Sequence, residues 1–143
     1  MIVDEGNNEV CRGVNAASTS PILHGEIAAI NNCVEKFGRK GVDWEKLTLI
    51  TTAEPCPMCH GAIIWAKIKR VVYGTSIKTL IAKGWNQIDI SAEELSRRTN
   101  FWHPEVIPDV LSNETDPMFI DLNESVSKHQ ANPGVKLLKE LPQ

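Results

Sequence analysis

The sequence predicts an α/β domain, a three-layer α/β/α arrangement around a mixed sheet of about five strands. Three observations carry this expectation. The 143-residue chain is 42% hydrophobic and 23% charged, which suits one domain with a core of its own. Residues 47–74 run from a charge-free stretch through an apolar helical stretch to a second apolar run, the order of a strand–helix–strand crossover with a parallel pair. An amphipathic helical pattern precedes that unit, so helices and strands alternate along the chain.

Taken in order, Met1 to Val3 enters the turn-forming cluster Asp4-Glu5-Gly6-Asn7-Asn8, and Glu9-Val10-Cys11-Arg12-Gly13 reads as the return strand of a hairpin. A first strand that opens on Met1 leads us to expect that an N-terminal segment is missing. After a polar loop at 15–20 and Pro21, the residues Ile27, Ile30, Val34 and Phe37 recur at helical spacing, and Gly38 and Gly41 end that helix. The run from Leu47 to Thr52 is uncharged and rich in β-branched residues, as an interior strand requires. Pro57 opens a helix through Ala66, and Arg70 to Gly74 forms the next strand.

Beyond Gly74 the pattern predicts a short helix at 77–83. Ser91-Ala92-Glu93-Glu94 has capping-box spacing, with Ser91 as N-cap and Glu94 reaching back. Pro104 and Pro108 restrict Val106-Ile107 to a brief edge strand. The domain is expected to span 1–122. Residues 123–143 read as a polar tail that is disordered or docks on a partner.

A formal net charge of −3 argues against the broadly basic surface that grips long nucleic acid. A small molecule is the better first expectation for a substrate, although Lys67, Lys69 and Arg70 form a local basic cluster that reads equally as a solvated helix end. No stretch approaches the roughly 18 consecutive apolar residues of a membrane helix, and no signal peptide pattern opens the chain. A cytoplasmic protein is expected. Of the four cysteines only Cys56 and Cys59 are close in sequence. Cys11 and Cys33, each beside a valine, read as separate buried small hydrophobes of a reducing compartment.

The chemistry concentrates in His24-Gly25-Glu26 and Pro55-Cys56-Pro57-Met58-Cys59. Two cysteines three apart at a helix start can aim both sulfurs at one point, and Pro57 at the first helical position loses nothing by lacking an N–H. The partial positive charge of the helix start favours the thiolate that a metal needs. By itself this pair equally fits a redox dithiol or a structural zinc site. His24, where a loop enters the preceding helix, completes a set of three ligands. Three ligands leave a tetrahedral zinc ion one open position for water, the arrangement of a catalytic site. Glu26 is then placed to shuttle the proton. His60, His103 and His129 read as ordinary loop or cap residues.

His-x-Glu followed by Pro-Cys-x-Met-Cys resembles the cytidine deaminase-like zinc deaminases, in which the glutamate is the general acid/base. The resemblance runs from about Met1 to Gly84 and implies that fold, a bound Zn²⁺ and a homodimer. It implies a hydrolytic deaminase that releases ammonia from a nucleobase or nucleoside. Gly13-Val14-Asn15 is similar to the family's Gly-x-Asn, which assigns a ring contact to Asn15. Gly25 and Pro55, inside the two motifs, join it as substrate-binding residues.

The segments from Ala53 to Cys59 and Gly61 to Ala66 look most like the guanine deaminase branch, with tRNA adenosine deaminases close behind and cytosine or cytidine deamination a further alternative. Family members also carry an N-terminal helix and a Pro-Phe-Gly loop that this chain lacks. Guanine deaminases have Gly-Phe-Asp-Asp where this chain reads Gly84-Trp85-Asn86-Gln87. Gln87, whose amide both donates and accepts, takes the place of the purine-reading acid, and Asp89 substitutes if the loop is shifted. Trp85, Phe101 and Trp102 read as core or tail packing. From a different class, a non-catalytic zinc-binding module fits the same ligands and predicts bound zinc without turnover. RNA is the less favoured partner.

Overall fold

The computed structural model describes residues 1–123, so all but the first residue of the polar tail expected at 123–143, and with it His129, lies outside the described residues. Five strands form one sheet: β1 (Ile2–Val3), β2 (Glu9–Cys11), β3 (Thr48–Ala53), β4 (Arg70–Thr75) and β5 (Glu105–Ile107), in the order β2-β1-β3-β4-β5. β1 runs antiparallel to both neighbours, while β3, β4 and β5 are parallel. The sheet is mixed, as the sequence predicts. The β3–β4 pair is the expected crossover unit, and β5, bounded by Pro104 and Pro108, is the brief edge strand.

Two helices cover one face. α1 (Gly25–Phe37) ends where Gly38 takes φ +71 and returns its N–H to the Val34 carbonyl. α2 (Pro57–Ala66) starts at Pro57 and stops at Lys67 in the left-handed region. Ala29 and Cys33 from α1, Ile63 from α2, and Leu49 and Val71 from the strands form one buried cluster with Ile2, Leu47 and Ile68. Each fully buried aliphatic side chain in such a cluster contributes about 1.5–3 kcal/mol. Alternation along β3 and β4 sends Ile50 and Val72 to the opposite face, where α5 (Ser112–Thr115) packs on β4.

Serine caps open two shorter helices, and of these caps the sequence predicts the one at Ser91. In α3 (Ile77–Ala82) the Ser76 hydroxyl accepts from the Thr79 N–H, and in α4 (Ala92–Arg97) Ser91 accepts from Glu94. The capping box is half made. Glu94 turns outward to accept from Arg98 at 2.7 Å, because a helical partner four residues on offers a charged donor.

One reading is corrected. Cys11 and Cys33 are buried as expected, but their sulfurs are bonded to each other, joining β2 to α1 across a sequence separation of 22. Cysteine usage therefore does not indicate a reducing compartment. Spacing gave no hint of the pair, because the contact exists only once α1 lies against β2.

The basic cluster is a helix end engaged in ion pairs: Lys67 reaches Glu45 at 3.4 Å and Arg70 reaches Glu105 at 2.8 Å. Trp85 and Trp102 pack as the sequence suggests, whereas Phe101 is 43% exposed and lies against the exposed Trp65. Trp85 donates to the Ile120 carbonyl and meets Phe119 edge-on, and Trp102 donates to Ile68. Among the described residues no helix is long and apolar enough to cross a membrane.

Candidate active site

Two helix starts converge on one point. His24 occupies the N-cap of α1 and Cys56 the N-cap of α2, both with extended backbone of ψ 163, and Cys59 follows one turn into α2. α1 can approach this closely because Gly13, at the exit of β2, lies against its backbone. A Cβ there would fall 2.2 Å from the Ala29 nitrogen. His24 Nδ1 lies 3.7 Å from the Cys56 sulfur and 3.6 Å from the Cys59 sulfur. Nδ1 and both sulfurs sit within 4.8 Å of one another.

The donor set fits a metal that takes nitrogen and sulfur. One imidazole and two thiols at this separation match a zinc site with three protein ligands. The Cys56 thiol is also prepared to lose its proton. Cys56 is pushed down to about 5 by its hydrogen bond with Cys59, helped by the backbone N–H groups of Cys59 and Met58 and by His24. Those amides belong to the open first turn of α2. Cys59, which shares the proton with Cys56 and is buried, is pushed up.

Glu26, in the first turn of α1, adjoins this set. Burial holds its carboxyl above the ordinary value of 4.5, the Cys56 charge adds to that, and the hydrogen bond to Cys59 and the charge of His24 pull the other way. A carboxyl desolvated beside thiolates is a group that can both take and return a proton.

A cleft of about 600 Å³ opens at Glu26 and is lined also by Asn15, Gly25, Val110, Leu111 and Phe119. Its volume is in the range of small-molecule sites. Asn15 contributes to this wall while its Oδ1 accepts from the Ala17 N–H at 2.9 Å, so the residue also makes the local turn that asparagine favours. Pro55 is fully buried ahead of Cys56. Gln87 and Asp89 lie in the connection between α3 and α4, outside the residues that line the cleft.

Sequence reasoning missed Glu54. Only 5% exposed, it accepts from the Ile77 N–H at 2.8 Å with one carboxylate oxygen and from the Ala92 N–H at 2.7 Å with the other. Its backbone N–H reaches Thr75 at 2.7 Å. A carboxylate placed directly after an uncharged interior strand was the available signal, since burial there demands partners. His60, next to Cys59, is fully buried rather than a loop or cap residue, and its Nε2 lies 2.7 Å from the Ser96 hydroxyl. Burial lowers its pKa to about 4.

Comparison with known proteins agrees with this geometry. A probable cytosine deaminase of Schizosaccharomyces pombe is 39% identical over 82 residues, 57% of this chain and 48% of that protein. A tRNA-specific adenosine deaminase of Haemophilus influenzae is 38% identical over 81 residues, 53% of this chain and 44% of that protein. The chain spans about half the length of these curated relatives. The X-ray structure of guanine deaminase from Bacillus subtilis aligns with a TM-score of 0.52 and 29% identity, covering 97% of this chain and 80% of that one. The family model for the cytidine and deoxycytidylate deaminase zinc-binding region matches residues 1–75, the stretch that contains His24, Glu26, Cys56 and Cys59, and the chain belongs to that family.

Proposed function

We propose that this protein is a zinc-dependent hydrolytic deaminase that replaces the amino group of a purine base or nucleoside, of guanine type, with oxygen. The observation that carries the reading is the Glu26 carboxyl, which lines the cleft and adjoins the His24, Cys56 and Cys59 donors. A Zn²⁺ ion held by those three donors supplies the Lewis acidity that draws the pKa of a water from about 15.7 toward about 7 in favourable sites.

Glu26 takes the proton from the attacking water and passes it to the ring nitrogen next to the reacting carbon. As the C–O bond forms, the carbon becomes tetrahedral. Glu26 then takes the second proton from the new hydroxyl and delivers it to the departing amino group, so that the C–O bond becomes a carbonyl, the C–N bond breaks and ammonia leaves. Asn15 and Gly25 flank this carboxyl along the cleft and orient the ring. Gln87 and Asp89 belong to this reading only if the α3–α4 connection turns toward the mouth when substrate enters. A homodimer belongs to it as well. Trp65 is 78% exposed with its ring centroid 4.7 Å from that of Phe101, an apolar surface of the kind a second copy covers.

The guanine-type assignment rests on the likeness to guanine deaminase along nearly the whole chain, together with the motifs around Cys56 and Gly61. Similarity to a tRNA-specific adenosine deaminase keeps adenosine in RNA as the second reading. Ammonia release from guanine, guanosine, cytosine, cytidine and an adenosine-bearing tRNA stem-loop tests both. Release from guanine or guanosine is expected. Release only from cytosine or cytidine would remove the purine assignment, and release only from the stem-loop would replace it by the second reading.

A further inference from the structure

Two buried polar contacts tie α4 to the cysteine turn, one on each side of the metal ligands. Before Cys56, Glu54 accepts from the Ala92 N–H at 2.7 Å. After Cys59, His60 Nε2 meets the Ser96 hydroxyl at 2.7 Å. Ala92 and Ser96 are four residues apart on α4 and so share one helix face. Glu54, His60, Ala92 and Ser96 are all buried, so neither tie is exchanged for water without a desolvation cost. Glu54 is anchored further by its bonds to the Ile77 N–H and the Thr75 carbonyl.

We propose that α4 is a brace for the Cys56-Pro57-Met58-Cys59 turn, with Glu54 and His60 as the positioning residues that hold both sulfurs ready for metal. None of the four residues is a ligand in the set His24, Cys56 and Cys59; they act through the backbone of the turn. Without the brace, the first turn of α2 has fewer restraints, and metal binding must itself order the two thiolates. Outer partners of this kind set metal affinity through ligand orientation. The inference rests on reading that trio as a metal site.

The test is Co²⁺ binding to the full chain, measured by competition with a chromophoric chelator and by the visible absorption of the bound ion. The proteins are wild type, Ser96→Ala, Ser96→Thr and Glu54→Gln, each at a temperature where its metal-free form is folded by circular dichroism. A carboxamide has one acceptor oxygen where Glu54 uses two, so Glu54→Gln breaks one of its two helix contacts.

Ser96→Ala and Glu54→Gln are expected to bind Co²⁺ about tenfold more weakly or worse, with a shifted visible band. Ser96→Thr keeps the hydroxyl and should retain wild-type affinity. A merely structural contact would lower the melting temperature of the metal-free protein while leaving affinity and spectrum in place. That result, with Ser96→Ala folded and binding as tightly as wild type, overturns the brace and leaves the metal reading standing. If Glu54→Gln does not fold, Ser96→Ala decides the matter alone. Wild-type protein that binds no Co²⁺ overturns both.

Discussion

His24 Nδ1 lies 3.6 Å from the Cys59 sulfur although 35 residues separate them in the chain. The distance is set by two helix starts meeting at one end of the sheet, and a metal ion held at that point would link them. Wild-type protein should carry about one zinc per chain by elemental analysis. His24→Ala, Cys56→Ser and Cys59→Ser should each lose it, and chelation should lower the melting temperature because metal binds the folded chain. Full zinc occupancy in all three variants would remove the ligand assignment.

Glu26→Gln separates proton transfer from metal binding. The variant should keep its zinc and its fold and lose turnover by at least about a hundredfold, as loss of a general acid/base does. Undiminished ammonia release would end the role given to Glu26.

The same residue gives a pH signature in the metal-free protein. Burial raises the Glu26 carboxyl above its ordinary 4.5, so the folded state binds that proton more tightly than the unfolded chain does. Its favourable contribution to stability is complete below 4.5 and is lost as pH rises through the folded value. Glu26→Gln carries no such charge. The metal-free variant should therefore gain stability over metal-free wild type as pH rises toward neutrality, and the gap should close in acid. Denaturant melts at several pH values read the difference, and a pH-independent gap contradicts it.

Cys11 and Cys33 close a loop with a sequence separation of 22. Loop-closure entropy for that length is worth about 3 kcal/mol, or about 10 °C in melting temperature for a domain of this size. Reduction, or the Cys11→Ala and Cys33→Ala pair, should show that drop. Both cysteines titrating freely with a thiol reagent in unfolded, unreduced protein would show that the bond does not form.

Gly13 is the contact that lets β2 pass against α1. A methyl group there meets backbone atoms of Ala29, Gly25 and Ala28 at 2.2, 2.5 and 2.7 Å, and backbone cannot swing aside as a side chain can. Gly13→Ala should cost about 1–3 kcal/mol, the range for overpacking. It should also weaken zinc, because α1 carries His24. An unchanged denaturation midpoint would show that the strand exit relaxes freely.

Much of the site was legible in the sequence because its parts are local. Cys56 and Cys59 sit three apart at a helix start marked by Pro57, and Glu26 follows His24 by two residues at another. Helical period, capping residues and β-branched runs likewise placed α1, α2, β3 and β4, since each reports on a few neighbouring dihedral angles.

Tertiary packing decided what no short window contains. The bond between Cys11 and Cys33 depends on which face α1 lays on β2, and the role of Glu54 depends on where the first amides of α3 and α4 arrive. Whether Gln87 and Asp89 face the cleft depends on the path of the α3–α4 connection, which the sequence leaves free and the packing carries outside the cleft wall. Local chemistry thus named the candidate ligands and the proposed proton carrier. The distances between them came only with the closing of the sheet, because contacts between distant residues are fixed by the burial of shared faces and not by spacing along the chain.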